Sequence, residues 1–238
     1  MRVWDIHPGY LSDKSLLGEH VEIHALYSII CGGKKGYSQH PETKRWVENL
    51  PQLILRHNLV VKEMTLRSFR HNSPLLIPEN IQKSDYAFPA NLSYVDIPSR
   101  QFAILQNKYL GKKQSGRIPL PGKGTDFWAH HKYSVMARGY QYYKEVQSFM
   151  KGRANKPIQK DNELILKIHS FLQLAVTEKH LSNTSEHLWG YFKEKANQEE
   201  KNNFLQLLDN RERLVFLFAL AQKYQITYLL HSTVFTDF

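Results

Sequence analysis

The chain of 238 residues has one cysteine, Cys31. A single thiol gives no disulfide framework within the chain and no cysteine-built zinc site, so Cys31 is expected as a buried small hydrophobe. Stability must then come from an apolar core. A hydrophobic content of 42% makes that core feasible in one large domain or two small ones. Long apolar runs are missing too. No stretch approaches 18 apolar residues, which excludes a spanning helix, and MRVWDIHPGY lacks the apolar segment of a secretory leader. A reducing cytoplasm is expected, with nucleoid association if the partner is DNA. Internal repeats and convincing strand alternation are also lacking, so the fold class is expected to be all-α, in two parts.

Negative charge is scarce. Lys and Arg number 32 against 22 Asp and Glu, a formal net charge of +10. A basic protein of this size points to a polyanion, either nucleic acid or an anionic membrane; the plainer alternative is a solvated basic surface. The excess is uneven. Residues 1–125 hold 17 Lys and Arg against 10 Asp and Glu, and residues 126–238 hold 15 against 12. The anion-binding half should therefore be the first.

Periodicity and punctuation set the expected elements. His7-Pro8-Gly9 turns the chain after an extended start. Ser12 or Asp13 can cap a helix running to about Ile30, with Leu16, Ile23, Leu26, Tyr27 and Ile30 on its core face and Gly18, Glu22 and Ala25 on another. Cys31 to Gly36 reads as a glycine-rich basic loop. Pro41 and Pro51 open two further helices. Leu53, Ile54, His57, Val61, Met64 and Phe69 lie roughly in register on the second, with Arg56, Lys62, Arg67 and Arg70 opposite. Residues 98–110 hold one more helix. Beyond a linker at 111–124, helices are expected over about 127–150, 161–182, 184–196, 198–207 and 209–224, with Asn183-Thr184-Ser185 as a cap. Domain bounds of 1–110 and 125–238 follow.

Chemistry concentrates near the start. Arg2 is a bulky second residue that normally blocks removal of the initiator methionine, so the α-amine should belong to Met1. An α-amine titrates near 7.7–8.0 and is partly unprotonated at neutral pH, which suits covalent amine catalysis. Glu22 could serve as general acid or base, against the alternative of an ordinary helix-surface glutamate. His20 and His24 stand at i, i+4, a spacing that can chelate a metal. No third ligand is evident beside them, and no metal or cofactor is expected. Lys34, Lys35, Arg45 and Arg56, interleaved with Tyr37 and Trp46, read as a phosphate-contacting surface.

The segments MRVWDIHPGYL, LLGEHVEIHALYSII, GKKGYSQHPE and LRHNLVVKEMTLRSF together resemble the pyrimidine-dimer DNA glycosylase/AP lyase family of the phage endonuclease V type, over about residues 1–72. In that family an N-terminal α-amine is followed by an arginine, and the catalytic glutamate comes twenty residues later; Arg2 and Glu22 keep that spacing. The resemblance implies catalysis by Met1 and Glu22 through a Schiff base on damaged double-stranded DNA. DNA contacts are expected from Arg2, His20, His24 and the basic residues Lys34, Lys35, Arg45 and Arg56. Two family arginines are replaced, by Val21 and Ala25, which weakens the case for dimer specificity more than for amine chemistry. The second half is similar to a YbgA-like domain, on FWAHHKYSVMARGYQYYKEV, HLSNTSEHLWGYFKEK and ITYLLHSTVF, over about residues 127–238. Its polar residues of interest are His130, Lys132, Tyr133, Arg138, His187 and Tyr191. Two other readings stay open: a non-catalytic nucleic-acid-binding protein on the same scaffold, and an enzyme acting on a modified pyrimidine in RNA or a free nucleoside. A pocket lined by His130 and Tyr191 would favour the latter.

Overall fold

A computed structural model describes residues 2–78 and 93–238. The described residues form helices and turns, with one isolated antiparallel bridge between Lys123 and Pro157. The chain divides into two units, Met1–Gly116 and Arg117–Phe238. No helix among the described residues is long and apolar enough to cross a membrane.

The first unit begins with an extended segment and a 3-10 turn, Pro8–Tyr10, whose proline sits where no N–H is needed. Helix α1 (Asp13–Gly32) starts at Ser12, whose side chain accepts the Ser15 amide, and stops at Gly33. Gly33 takes φ 58°, a left-handed conformation that costs glycine little. Leu16, Ile23 and Leu26 of α1 are fully buried, while Tyr27 and Ile30 are half-buried. Helices α2 (Pro41–Val47) and α3 (Leu50–Leu66) pack on α1 and on each other. The buried face of α3 runs through Leu53, Ile54, His57, Val60 and Met64, so Val60 rather than Val61 faces the core; Phe69 lies past the helix end. Helix α4 (Pro98–Tyr109) closes the unit over the N-terminal segment. Phe102 meets Tyr10 edge-on at 5.1 Å, and the Tyr109 hydroxyl accepts the Ser12 amide at 2.7 Å. Cys31 is exposed, contrary to expectation. It falls in the last turn of α1, beyond the buried stripe.

In the second unit the long helix expected over 127–150 is two, α5 (Gly124–Met136) and α6 (Tyr140–Phe149), because Gly139 is extended. The helix expected over 161–182 is likewise broken, into α7 (Asn162–Leu172) and α8 (Glu178–Trp189). The cap of α8 is Thr177, which accepts the His180 amide, not Asn183-Thr184-Ser185. Thr184 and Ser185 sit inside α8 and are buried, their hydroxyls returned to the carbonyls of His180 and Ser182. Helices α9 (Gln198–Gln206) and α10 (Asn210–Lys223) and the short α11 (Thr227–Leu230) and α12 (Val234–Asp237) complete the unit. Its core gathers Leu181, Leu188, Phe192, Phe204, Leu217 and Leu229, with Trp189 stacked on Phe204 at 4.3 Å.

Within the stretch expected as a linker, residues 111–113 are exposed, while residues 116–118 are packed. A side chain at Gly116 would meet the Gly9 carbonyl oxygen at 2.3 Å. Arg117 donates to the carbonyls of Leu230 and Ser232, and Ile118 is fully buried.

Candidate active site

The N-terminal segment pairs with no strand among the described residues, so its amides must find side-chain acceptors. Val3 donates to Glu42 Oε1 at 3.4 Å, Trp4 to Glu19 Oε1 at 2.8 Å, and Asp5 to Gln101 Oε1 at 2.8 Å. Helices α2, α1 and α4 thus each fix one residue of the segment. Glu19 is buried and forms a two-point ion pair with Arg56, Nε and Nη2 each 2.8 Å from a carboxylate oxygen. Burial pushes the Glu19 carboxyl up, and the Arg56 guanidinium and the Trp4 amide offset part of that. Glu42 is pushed up by burial in the same way, against the pull of Arg45 and the indole N–H of Trp46.

Beside this anchored segment lies a cavity of about 340 Å³. Arg2 and Trp4 line it from the N-terminal segment, Lys14, Gly18, Glu19 and Glu22 from α1, and Lys108 from α4. Lys14, Gly18 and Glu22 are spaced four apart and form one stripe of the helix. A Cβ at Gly18 would meet nothing within 4 Å, so the glycine keeps this wall open. Lys108 donates to Ser15 Oγ at 2.9 Å and holds its charge at the rim. Two carboxylates, an arginine and two lysines therefore converge on one concave surface.

Of the residues expected to act, Met1 lies outside the described residues. Arg2 and Glu22 share the cavity. Arg2 reaches Asp96 at 2.8 Å and lies over the Trp4 ring. Lys34 and Lys35 are exposed on the loop after α1. Arg45 and Arg56, expected on a phosphate-contacting surface, are both engaged by acceptors within the first unit. Arg45 is buried, bonded to Asp5 and set over Trp46 at 4.5 Å. Arg56 is bound by Glu19 and the Ile6 carbonyl. Their forks are taken up by internal acceptors, and freeing either would leave a buried carboxylate unpaired. Arg67 is a third such residue, donating to Glu63 and to the carbonyls of Leu11, Pro8 and Gly9. His20 and His24 do not line the cavity; they face His57 and His71.

Sequence reasoning missed Glu19, Lys14 and Lys108. The four-residue spacing from Lys14 through Gly18 to Glu22 could have revealed the lysine. Lys108 reaches the cavity only through the packing of α4, which no local pattern encodes.

The second unit has a cavity of about 240 Å³ lined by Asp126, His130, Tyr228 and His231, with Pro119, Leu120 and Ala129. Burial, His231 and Arg117 lower His130 to about 4, against a smaller upward pull from Asp126. Tyr191 does not line this cavity; its hydroxyl accepts from Tyr133 at 3.1 Å. Lys132 lies between the rings of Tyr133 and Tyr228, at 4.6 and 4.8 Å, and burial lowers its pKa. Arg138 is bound to the carbonyls of Leu172 and Ser134 and to Asp237. His187 is exposed.

These two helical units correspond to two family matches. Residues 1–76 match the family described as pyrimidine dimer DNA glycosylase, and residues 132–238 match a family described as a protein of unknown function (DUF1722). The glycosylase match contains Arg2, Lys14, Gly18, Glu19 and Glu22 of the first cavity, while Lys108 lies beyond it. No curated protein and no solved structure matches the chain.

Proposed function

We propose that the first unit is a DNA glycosylase and AP lyase for damaged pyrimidines, with the α-amine of Met1 as nucleophile and Glu22 as its acid and base. The observation that carries this reading is the shared cavity of Arg2 and Glu22. Residues 3–5 are each fixed by a different helix, so the stretch that carries Arg2 into the cavity is anchored.

The amine attacks C1′ of the damaged nucleotide, and the C1′–N bond to the base breaks with its electron pair leaving on the base. The amine then loses a proton. The ring opens as O4′ accepts a proton and an iminium forms between the amine and C1′. Loss of a C2′ proton expels the 3′ phosphate by β-elimination, and water releases the sugar from the amine. Glu22 carries protons for ring opening and elimination. Glu19 has a different part. Its carboxylate is engaged by Arg56 and Trp4, so it positions the N-terminal segment rather than moving protons. Lys14 and Lys108 supply positive charge for phosphates beside the extruded nucleotide. With Val21 and Ala25 in place of the family arginines, these lysines are the cations of α1 and α4 available at the cavity.

The test is strand scission of a duplex carrying one cyclobutane pyrimidine dimer or one abasic site. The wild-type chain is expected to cut by β-elimination, and Glu22→Gln to lose that activity while still binding the duplex. Intact duplex after prolonged incubation with wild type would leave the scaffold as a DNA-binding protein only.

A further inference from the structure

We propose that His20, His24, His57 and His71 form a site for one divalent transition-metal ion of the zinc class, clamping α1 to α3 and to the chain that follows α3. The inference does not depend on the glycosylase reading.

Four imidazoles from three places in the chain converge, and one ligand nitrogen from each lies within 4.8 Å of the others. His20 Nε2 and His24 Nε2 are 3.2 Å apart. Ring centroids are separated by 4.6 Å for His20 and His24 and by 5.0–5.2 Å for His20–His57, His20–His71, His24–His57 and His57–His71. Four imidazoles on a tetrahedral ion at about 2.0–2.1 Å per bond would place their nitrogens about 3.3 Å apart and their centroids about 5 Å apart. The centroid separations and the His20–His24 nitrogen pair already have those dimensions, and the other ligand nitrogens, all within 4.8 Å of one another, need only a small inward shift to reach them.

Hydrogen bonding supplies a second, independent observation. His57 is 2% exposed. Its Nδ1 bonds to Asn58 Oδ1 at 3.2 Å, while its Nε2 is buried with no partner. The acceptor Asn58 oxygen puts the proton on Nδ1 and leaves a lone pair on Nε2, the arrangement a metal ligand needs. His71 Nε2 is also buried and unpartnered. A histidine serving only to pack a core has both nitrogens satisfied or solvated, because a buried orphan nitrogen is costly. One cation would satisfy both orphans at once.

An all-imidazole donor set suits zinc and its borderline neighbours and disfavours magnesium or calcium, which take oxygen. Four protein ligands also make a closed, structural site. Glu22 is two residues from both His20 and His24, so it lies about 200° around α1 from each, and none of the four histidines lines its cavity.

The test uses the full chain without a histidine tag, stripped with chelator and titrated with Zn²⁺ and separately with Co²⁺. One equivalent is expected to bind, Co²⁺ should give the intense visible bands of tetrahedral coordination, and Zn²⁺ but not Mg²⁺ should raise the thermal midpoint. His71→Gln, in a segment outside any helix, should weaken Zn²⁺ binding at least about tenfold with an unchanged far-ultraviolet circular dichroism spectrum. His20→Gln gives the same readout from α1. Absence of stoichiometric binding at micromolar Zn²⁺, or undiminished affinity in either variant, overturns the proposal.

Discussion

The backbone amide of Trp4 donates to Oε1 of Glu19 at 2.8 Å. Through that bond α1 holds the N-terminal segment one helical turn from Glu22, and Arg56 locks the carboxylate from α3. Glu19→Gln keeps an acceptor for Trp4 but leaves Arg56 buried without a counter-charge. The expected loss is about 3–5 kcal/mol, read as a lowered denaturant midpoint. The double variant Glu19→Gln with Arg56→Gln should lose less than the two single losses combined. Strict additivity would show that the pair is not coupled.

The arginines and lysines of the first unit should separate into two classes. Lys34→Ala with Lys35→Ala should leave stability unchanged and reduce the salt dependence of DNA binding, with the log–log slope falling by about 2 if both reach phosphates. Arg45→Ala should destabilise the fold, because Asp5 and Glu42 lose their buried partner. Affinity measured across a salt series, beside unfolding curves for the same variants, checks both. An unaltered slope removes the loop from the DNA surface.

The second unit should lose stability in mild acid. Burial holds His130 at about 4 and His131 well below the ordinary histidine value. With folded pKa values depressed, the unfolded chain binds the protons first. Stability is then fully present above pH 6.5 and falls as pH drops towards 4. His130 alone accounts for about 3 kcal/mol over that window. Denaturant midpoints for the second unit between pH 7 and pH 4 measure it, and a flat profile would contradict the burial argument.

Gly116→Ala should be costly. The new methyl would lie 2.3 Å from the Gly9 carbonyl oxygen and 2.5 Å from the Tyr10 carbonyl carbon, both backbone atoms that cannot swing away. About 1–3 kcal/mol is expected. Gly36→Ala, with open space around it, is the control, and equal thermal midpoints for the two variants would refute the close approach.

Much of the helical layout was legible because its signals are local. Ser12 and Gly33 bracket α1, and the prolines at 41, 51 and 98 mark three helix starts. The helix breaks at Gly139 and before Thr177 were harder to read, since apolar periodicity continues across them and tertiary bonds decide where the chain turns. The reactive face was legible in part. Arg2 and Glu22 could be paired through their spacing, yet Lys108 and Gln101 reach the N-terminal segment and its cavity only by folding. The internal carboxylate partners of Arg45 and Arg56 were not legible, because net charge does not say whether a guanidinium has one. His57 and His71 join His20 and His24 from 33 and 47 residues further on, a separation that no short motif spans.

The amine mechanism is tested most directly by borohydride trapping on a duplex containing one abasic site, using chain with a free Met1 amine. The expected result is a covalent protein–DNA adduct that maps by mass spectrometry to the α-nitrogen of residue 1, and that disappears when a tag blocks the N-terminus. No adduct, or one mapped to a lysine side chain such as Lys14 or Lys108, would contradict it.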